Sequence, residues 1–195
     1  MIVVIAATGT NLGSIANALK RLDMKFCITN ELKPIQQASH VILPGVGSSL
    51  MGMSQLQQHE LVNTIQNLRC PVLGICLGMQ LLFDFLEEDT VTGLGIIPGK
   101  VAPLPGSVNY PSPHMGWNRI AWHQNTELGR DVPAGSYVYF VHSFAVNLNA
   151  YTLARCDYSV PFSAIVQKDN FFGMQFHPEK SAATGLKLLR NFCLL

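Results

Sequence analysis

The sequence is poor in charged side chains, which make up 13% of its 195 residues and leave a formal net charge of +1. Nucleic acids and anionic membranes attract proteins that carry an excess of basic charge. The chain has no apolar run near the roughly 18 residues of a membrane span, and residues 1–5 lack the basic segment of a signal peptide. We therefore expect a cytoplasmic protein that binds neither nucleic acid nor membrane.

Cysteine and histidine are too scattered to form a recognisable metal or disulfide pattern. The five cysteines are odd in number and include no C-x-x-C pair, and the six histidines include no H-x-x-x-H pair. The glycines between Gly9 and Gly13 do not form the G-x-G-x-x-G motif of a dinucleotide site. We expect no metal and no cofactor.

Apolar residues, by contrast, are abundant, at 48% of the chain. With so few charges, this content predicts that part of the apolar surface is covered by another protein. Since about 100–200 residues is the usual size of a domain, residues 1–195 are predicted to form a single domain.

Short apolar runs alternate with helical patterns along the first half of the chain. Continuously apolar strands are typical of a parallel sheet that is covered by helices on both faces. We predict an α/β fold with a mostly parallel sheet and an antiparallel addition from the second half. The predicted strands are 2–6, 25–29, 41–43, 71–75, 118–122, 137–141, 152–156, 162–167 and 171–175; the predicted helices are 12–22, 50–68, 77–85 and 182–192, and 98–113 is predicted to be irregular.

The most informative segment is Gly-Ile-Cys-Leu-Gly at residues 74–78. It matches the G-x-nucleophile-x-G pattern, in which glycines let the chain turn sharply from strand to helix and leave the nucleophile strained and exposed. A thiol at this position lies at a helix N-terminus, which favours the thiolate. Taken alone, Cys76 is more consistent with a small buried hydrophobic residue, so its interpretation depends on a partner base.

His177 and Glu179 provide that base. Residues two apart in an extended segment share one face, so Glu179 is expected to orient the His177 imidazole and stabilise its charge. Alone, His177 would be interpreted as a hydrogen-bonded structural histidine. With Cys76, the two predict acyl transfer through a thioester.

Acyl transfer also needs N–H donors for the oxyanion. The geometry of the elbow makes the backbone N–H of Leu77 one donor, and residues 45–47, Gly-Val-Gly, are expected to supply the other from Val46. The flanking glycines permit a peptide flip, although the segment is equally consistent with a tight turn. Gln80, one helical turn after Cys76, is expected to reach the substrate. Glu88 is either a contact for a substrate ammonium or a solvated carboxylate.

Five segments together resemble the class I, triad-type glutamine amidotransferases, and within that family the glutaminase subunits of imidazole glycerol phosphate synthase. The segments are 44–47, 73–80, 113–118, 139–144 and 173–181, and the likeness covers essentially the whole chain. The resemblance implies a flavodoxin-like class I fold and hydrolysis of glutamine to glutamate and ammonia. It also implies a heterodimer with a cyclase subunit of (βα)8-barrel fold, which uses the ammonia to convert PRFAR to imidazole glycerol phosphate and AICAR in histidine biosynthesis.

The resemblance also implies roles for individual residues. Cys76 is similar to the family nucleophile, His177 to its base and Glu179 to its orienting acid. Glutamine contacts are implied for Gly45, Gly47, Gln80, Glu88, His142, Ser143 and Phe144, and a surface that faces the cyclase is implied for Met115, Trp117 and Lys180. Without the resemblance, Trp117 would be interpreted as a core aromatic residue.

The chain departs from the family pattern outside the triad. Many relatives carry an acidic residue where this chain has Ala7, the turn over residues 8–12 is one residue short, and Phe144 replaces a tyrosine. Three alternatives stay open at this point. The same glutaminase could supply a different acceptor subunit, such as one of a surface-sugar pathway, or the chain could be a non-catalytic docking module or a generic cysteine hydrolase.

Overall fold

The computed structural model describes residues 1–7 and 12–195, so most of the turn predicted over residues 8–12 lies outside the described residues. The strands are β1 Ile2–Ile5, β2 Phe26–Thr29, β3 His40–Leu43, β4 Val72–Ile75, β5 Phe83–Leu86, β6 Val91–Thr92, β7 Ile97–Pro103, β8 His114–Arg119, β9 Ala121–Trp122, β10 Tyr137–His142, β11 Phe144–Val146, β12 Thr152–Asp157, β13 Pro161–Lys168 and β14 Phe171–Met174. The helices are α1 Leu12–Arg21, α2 Leu32–Gln36, α3 Ser49–Gln58, α4 Leu61–Gln66, α5 Leu77–Gln80 and α6 Ala182–Cys193, and 3₁₀ turns span Glu88–Thr90 and Pro178–Lys180.

The largest sheet is mixed, as the sequence predicts. Its eight strands lie in the order β2, β1, β3, β4, β14, β13, β12, β9. The strands from β2 to β14 are parallel, and those from β14 to β9 are antiparallel. The carboxyl ends of β3, β4 and β14 are neighbours at one edge, where open α/β sheets place their sites. The chain segments that follow these ends are 44–47, 76–80 and 175–179.

Helices cover both faces of the parallel strands. Successive side chains of β1 point to opposite faces, so Val3 packs with residues of α3 and α4 while Val4 packs with residues of α1 and α6. Complete burial of one such side chain contributes about 1.5–3 kcal/mol. Among the described helices, none is long and apolar enough to cross a membrane.

The helix predicted over residues 50–68 is interrupted. Its first part, α3, ends at Gln58, and α4 begins at Leu61. Between them Glu60 has φ 56° and ψ 28°. This left-handed conformation is incompatible with a right-handed helix, so the chain turns there. Helix α2 was not predicted.

Three further predictions of secondary structure are wrong. The helix after Cys76 ends at Gln80, and Phe83–Leu86 is strand β5. The prediction failed because the apolar run Leu81-Leu82-Phe83 has no periodicity that distinguishes a helix from a buried strand. Residues 98–113, predicted to be irregular, include most of β7, which pairs with β5 and β11. The strand predicted over 118–122 is divided between β8 and β9, which belong to different sheets.

Strands β8 and β10 form a separate two-stranded ribbon. Trp117 lies opposite Tyr139, and His114 lies opposite His142. Alternation makes the ribbon two-sided: His114, Phe140 and His142 are buried on its inner face, whereas Met115 and Trp117 are exposed on its outer face.

Candidate active site

The turn at Cys76 has the strained backbone that the sequence predicts. Its φ of 53° and ψ of −112° are unusual for a residue with a side chain. A Cβ at Gly74 would lie 2.5 Å from the carbonyl oxygen of Gly78, and one at Gly78 would overlap the carbonyl of Leu43. Both glycines are therefore required because backbone approaches backbone. The elbow presents Cys76 at the start of α5.

The thiol is less exposed than predicted. Only 8% of Cys76 is accessible to solvent, and part of its surface joins the hydrophobic core. Yet Cys76 also lines a cavity of about 300 Å³. Its Sγ lies 3.8 Å from the carbonyl oxygen of Val141 and 3.9 Å from Nε2 of Gln175. The sulfur thus has polar neighbours and faces an open space, unlike a cysteine that only fills the core.

His177 and Glu179 form a buried pair. His177 Nδ1 lies 2.8 Å from Glu179 Oε1, and the two side chains are only 4% and 1% exposed. The segment is not extended as predicted: residues Pro178–Lys180 form a 3₁₀ turn, with His177 as its N-cap. This tight turn still brings the carboxylate to the ring. The second nitrogen, Nε2, is thereby left for Cys76.

The charge of His177 depends on its two partners. Burial favours the neutral ring, but hydrogen bonds with Cys76 and Glu179 and the negative charges of both groups outweigh burial and raise the pKa of His177 to about 10. The raised pKa favours the imidazolium form of the ring at neutral pH, which has a proton to donate.

The backbone of His177 is fixed from the β8–β10 ribbon. Its N–H donates to Tyr139 O at 3.0 Å. Ser181 Oγ, which is fully buried, donates to His177 O at 2.7 Å and accepts from Tyr139 N at 2.9 Å. These bonds join strand β10 to the 3₁₀ turn and fix the backbone that carries the imidazole.

Most of the predicted site residues meet at the same cavity. Its lining includes Val46, Gly47, Cys76, Leu77, Gln80, Glu88, His142, Ser143, Phe144 and His177. Gly45 is packed directly against the elbow, since a Cβ there would lie 2.5 Å from Gly78 N. Glu179 lies behind His177. The residues come from five separate stretches of sequence, and a thiol, an imidazole and a carboxylate lie in series at one end of the cavity.

A family model covers almost the whole chain. The model of glutamine amidotransferase class-I matches residues 3–195. The chain belongs to the class I glutamine amidotransferases. Curated relatives match along nearly their whole length. Imidazole glycerol phosphate synthase subunit HisH 2 of Legionella pneumophila (strain Paris) is 51% identical over 100% of this chain and 98% of its own. Subunit HisH of Pasteurella multocida is 45% identical over 98% of this chain and 96% of its own.

Solved structures of amidotransferases share the fold at low sequence identity. One described as a glutamine amidotransferase has a TM-score of 0.76 at 17% identity and covers 99% of this chain and 97% of its own. A glutamine amidotransferase from Thermotoga maritima has a TM-score of 0.67 at 18% identity, with coverage of 98% and 95%. The prediction of a class I amidotransferase fold is confirmed.

In this amidotransferase, Glu88 is held at the cavity rather than free in solvent. Its Oε2 accepts hydrogen bonds from the backbone N–H of Ser49 at 2.9 Å and from the Ser49 hydroxyl at 2.7 Å. Glu88 is only partly exposed. Helix α3 thus fixes the carboxylate against the cavity, where it supplies negative charge.

The carbonyl of Phe144 organises the opposite wall of the amidotransferase cavity. It accepts from Gln80 Nε2 at 3.0 Å and from His142 Nδ1 at 2.9 Å. Because His142 Nδ1 carries the hydrogen, its Nε2 accepts from His114 Nδ1 at 3.0 Å, and Asn118 Nδ2 lies 3.4 Å from His114 Nε2. A chain of hydrogen bonds therefore runs from the ribbon to the cavity.

His114 and His142 are neutral at physiological pH. Burial lowers the pKa of His114 and of His142 to about 4. The His114 ring is stacked on Phe140 and on Tyr158, with centroids 4.8 and 3.9 Å apart. The pair therefore acts as a fixed hydrogen-bonded support, in contrast to the charged His177.

The predicted partner-facing residues lie on the surface. Met115 and Trp117 are 63% and 52% exposed on the outer face of the ribbon, and Lys180 is exposed at the end of the 3₁₀ turn. The alternative interpretation of Trp117 as a core residue is wrong. Among the described residues, no group of His, Cys, Asp or Glu is arranged to hold a metal ion.

The interpretation of the sequence missed four residues that shape the site: Gln175, Ser49, His114 and Ser181. A signal existed for Gln175, which lies two residues before His177 in the same segment. A signal also existed for His114, which the alternation of β8 places on the buried face. Ser49 and Ser181 bond to residues that are distant or in a turn, and no sequence pattern indicates those pairs.

Proposed function

We propose that this chain hydrolyses glutamine to glutamate and ammonia and supplies the ammonia to a cyclase subunit of imidazole glycerol phosphate synthase, in histidine biosynthesis. One observation carries the proposal: the elbow thiol and the buried imidazole–carboxylate pair meet at one cavity in a class I amidotransferase. The relatives named as HisH subunits, at 45–51% identity over nearly full length, support this choice among the amidotransferases.

The first step is attack by the Cys76 thiolate on the side-chain carboxamide of glutamine. A C–S bond forms and the carbonyl oxygen becomes an oxyanion, which the N–H groups of Leu77 and Val46 stabilise. Support comes from the cavity, which both residues line beside Cys76. The charged His177 then donates its proton to the leaving nitrogen as the C–N bond breaks, so ammonia departs and a thioester remains.

The same imidazole serves the second step because its pKa depends on the sulfur. In the thioester the sulfur carries no charge, so one of the interactions that hold the proton on His177 is lost. The neutral ring then accepts a proton from water as the water attacks the thioester. Glu179 keeps the ring oriented in both steps. Hydrolysis releases glutamate and restores the thiolate and imidazolium.

Glutamine is held by the rest of the cavity wall. Glu88, fixed by Ser49, is placed to pair with the ammonium of the substrate. Gly45, Gly47, Gln80, His142, Ser143 and Phe144 complete the binding site. The cavity of about 300 Å³ lies at the small end of the roughly 300–1,000 Å³ range of ligand sites, in keeping with a single amino acid.

The ammonia passes to a cyclase of (βα)8-barrel fold in a heterodimer. Met115, Trp117 and Lys180 form the partner-facing surface; exposed Trp and Met side chains are typical of interface cores. In isolation the chain is nearly silent, with the Gly45-Val46 peptide turned away until a loaded partner favours its flip. Gly47, whose φ is 97°, has open space where a Cβ would stand, which leaves room beside it for a change in peptide orientation.

Glutamine turnover with and without the cyclase and its ligand tests the proposal. We expect strong stimulation by the loaded partner and complete loss of turnover in Cys76→Ala. Cys70→Ala serves as the matched control because Cys70 is half-buried outside the cavity. Turnover that persists in Cys76→Ala contradicts the chemistry. Turnover that depends on Cys76 but is the same with and without the cyclase contradicts the assigned acceptor. Complementation of a histidine auxotroph tests the acceptor independently.

A further inference from the structure

Gln175 is a fully buried polar residue beside the nucleophile that the acid–base steps do not use. It is 0% exposed. Its side-chain Nε2 lies 3.9 Å from Cys76 Sγ, and its Oε1 accepts from Gln80 Nε2 at 3.0 Å. Its backbone N–H donates to Ala164 O at 2.9 Å. The side-chain amide is therefore held by Gln80 at its oxygen and lies against Cys76 at its nitrogen, on a backbone that Ala164 fixes.

The hydrogen-bond network fixes which end of the amide faces the sulfur. Phe144 O can only accept, so the Gln80 atom that lies 3.0 Å from it is the nitrogen. The second hydrogen of that nitrogen points to Gln175, so the Gln175 atom there is the oxygen. The nitrogen of Gln175, with its hydrogens, then faces Cys76. A single backbone carbonyl thus sets the orientation of both side chains.

The sulfur also has an acceptor on its other side. The neutral thiol can donate to Val141 O, which lies 3.8 Å away. When the thiol ionises, that hydrogen bond is lost and the carbonyl dipole faces a negative charge. A donor to the sulfur is needed to offset this, and Gln175 Nε2 is placed to provide it.

We propose that Gln175 is a further catalytic residue, whose side-chain N–H stabilises the negatively charged sulfur of Cys76 and directs it toward the cavity. The titratable groups that line the cavity with Cys76 are His177, from the turn after β14, and His142 and Glu88, from the cavity wall. His177 supplies the proton for the leaving nitrogen, while Gln175 keeps its own hydrogens and acts at every stage that carries charge on the sulfur. This inference deepens the proposed function and rests on it.

The test is the pH dependence of alkylation of Cys76 by iodoacetamide in Gln175→Met, which keeps the length of the side chain and removes the donor. A Cys70→Ala background is used, because Cys70 and Cys76 fall between Arg69 and Lys100 in one tryptic peptide. We expect the midpoint of alkylation to move to higher pH by about one pH unit, since hydrogen bonds to charged groups contribute at least that much. At neutral pH kcat should fall about tenfold with KM little changed.

Gln66→Met is the matched control, because Gln66 Nε2 donates to Leu94 O at 2.7 Å and neither residue lines the cavity; its alkylation profile should equal that of the parent. An unchanged profile in folded Gln175→Met overturns the inference. If that variant does not fold, ¹⁵N NMR of the unaltered chain decides: the side-chain N–H signals of Gln175 should move as Cys76 titrates, and constant signals overturn it. Alkylation does not need turnover, so a parent that fails to hydrolyse glutamine contradicts only the proposed function.

Discussion

One added methyl group at Gly45 should inactivate the enzyme while leaving the chain folded. A Cβ at this position would lie 2.5 Å from Gly78 N and 2.8 Å from Leu77 Cβ, whereas ordinary contact begins at 3.4 Å. Neither neighbour is the end of a flexible side chain, so the loop of residues 44–47 must withdraw from the elbow by about 0.9 Å. In the proposed mechanism, this withdrawal carries the N–H of Val46 away from the oxyanion.

The size of the effect follows from this displacement. A shift of about 1 Å at a reacting centre costs roughly 10²-fold in rate, and overpacking costs about 1–3 kcal/mol of stability. We expect Gly45→Ala to lower kcat for glutamine about 100-fold with the cyclase and its ligand present, and to lower the free energy of unfolding by about 1–3 kcal/mol. Glutamate formation measures the first and urea denaturation the second.

Gly135→Ala separates the clash from backbone strain. Gly135 has a φ of 82°, and a Cβ added there would have no neighbour within 4 Å. An alanine at this position therefore strains the backbone but does not collide with another residue. It should lose stability yet keep kcat within twofold of the parent. If Gly45→Ala also keeps kcat within twofold, the loop does not supply an oxyanion donor and that part of the mechanism is refuted.

Three shorter predictions concern charges and hydrogen bonds. The raised pKa of His177 stabilises the fold at pH values below about 6.5, the ordinary pKa of histidine, and this contribution is lost as pH rises toward about 10. Urea denaturation at several pH values should show this loss of stability, and His177→Gln should reduce it. The lowered pKa values of His114 and His142 act oppositely, since their contribution is lost as pH falls toward about 4; His114→Phe should flatten this acid limb. Ser49→Ala should raise KM about tenfold without lowering kcat, because Glu88 loses a hydrogen bond of about 1–1.5 kcal/mol; an unchanged KM contradicts its role.

Local sequence patterns predicted what depends on local geometry. The glycines at 74 and 78 indicated the turn at Cys76 because only glycine tolerates that approach of backbone to backbone. The same patterns did not predict the break at Glu60 between α3 and α4, since its left-handed φ of 56° is not one that the residue type favours. Strand β5 was missed because a short apolar run fits both strand and helix.

Long-range hydrogen bonds were beyond prediction for a different reason. Gln175 and Cys76 are 99 positions apart, and Ser49 and Glu88 are 39 apart. The first pair depends on which strands are neighbours in the finished sheet, because β4 and β14 are paired and each leads into one of the two partners. The second pair joins α3 to the 3₁₀ turn after β5, a strand of another sheet. In neither pair does a property of one residue alone indicate the other.

The alternation of side chains along β8 gives the two faces of this strand different roles. Even-numbered positions, such as His114 and Asn118, support the substrate pocket, while odd-numbered positions, such as Met115 and Trp117, meet the outside. A substitution at an odd position can therefore change the exposed face of the ribbon while the buried hydrogen bonds of His114 stay in place. One side of this six-residue strand is free to vary while the other is fixed by its contacts.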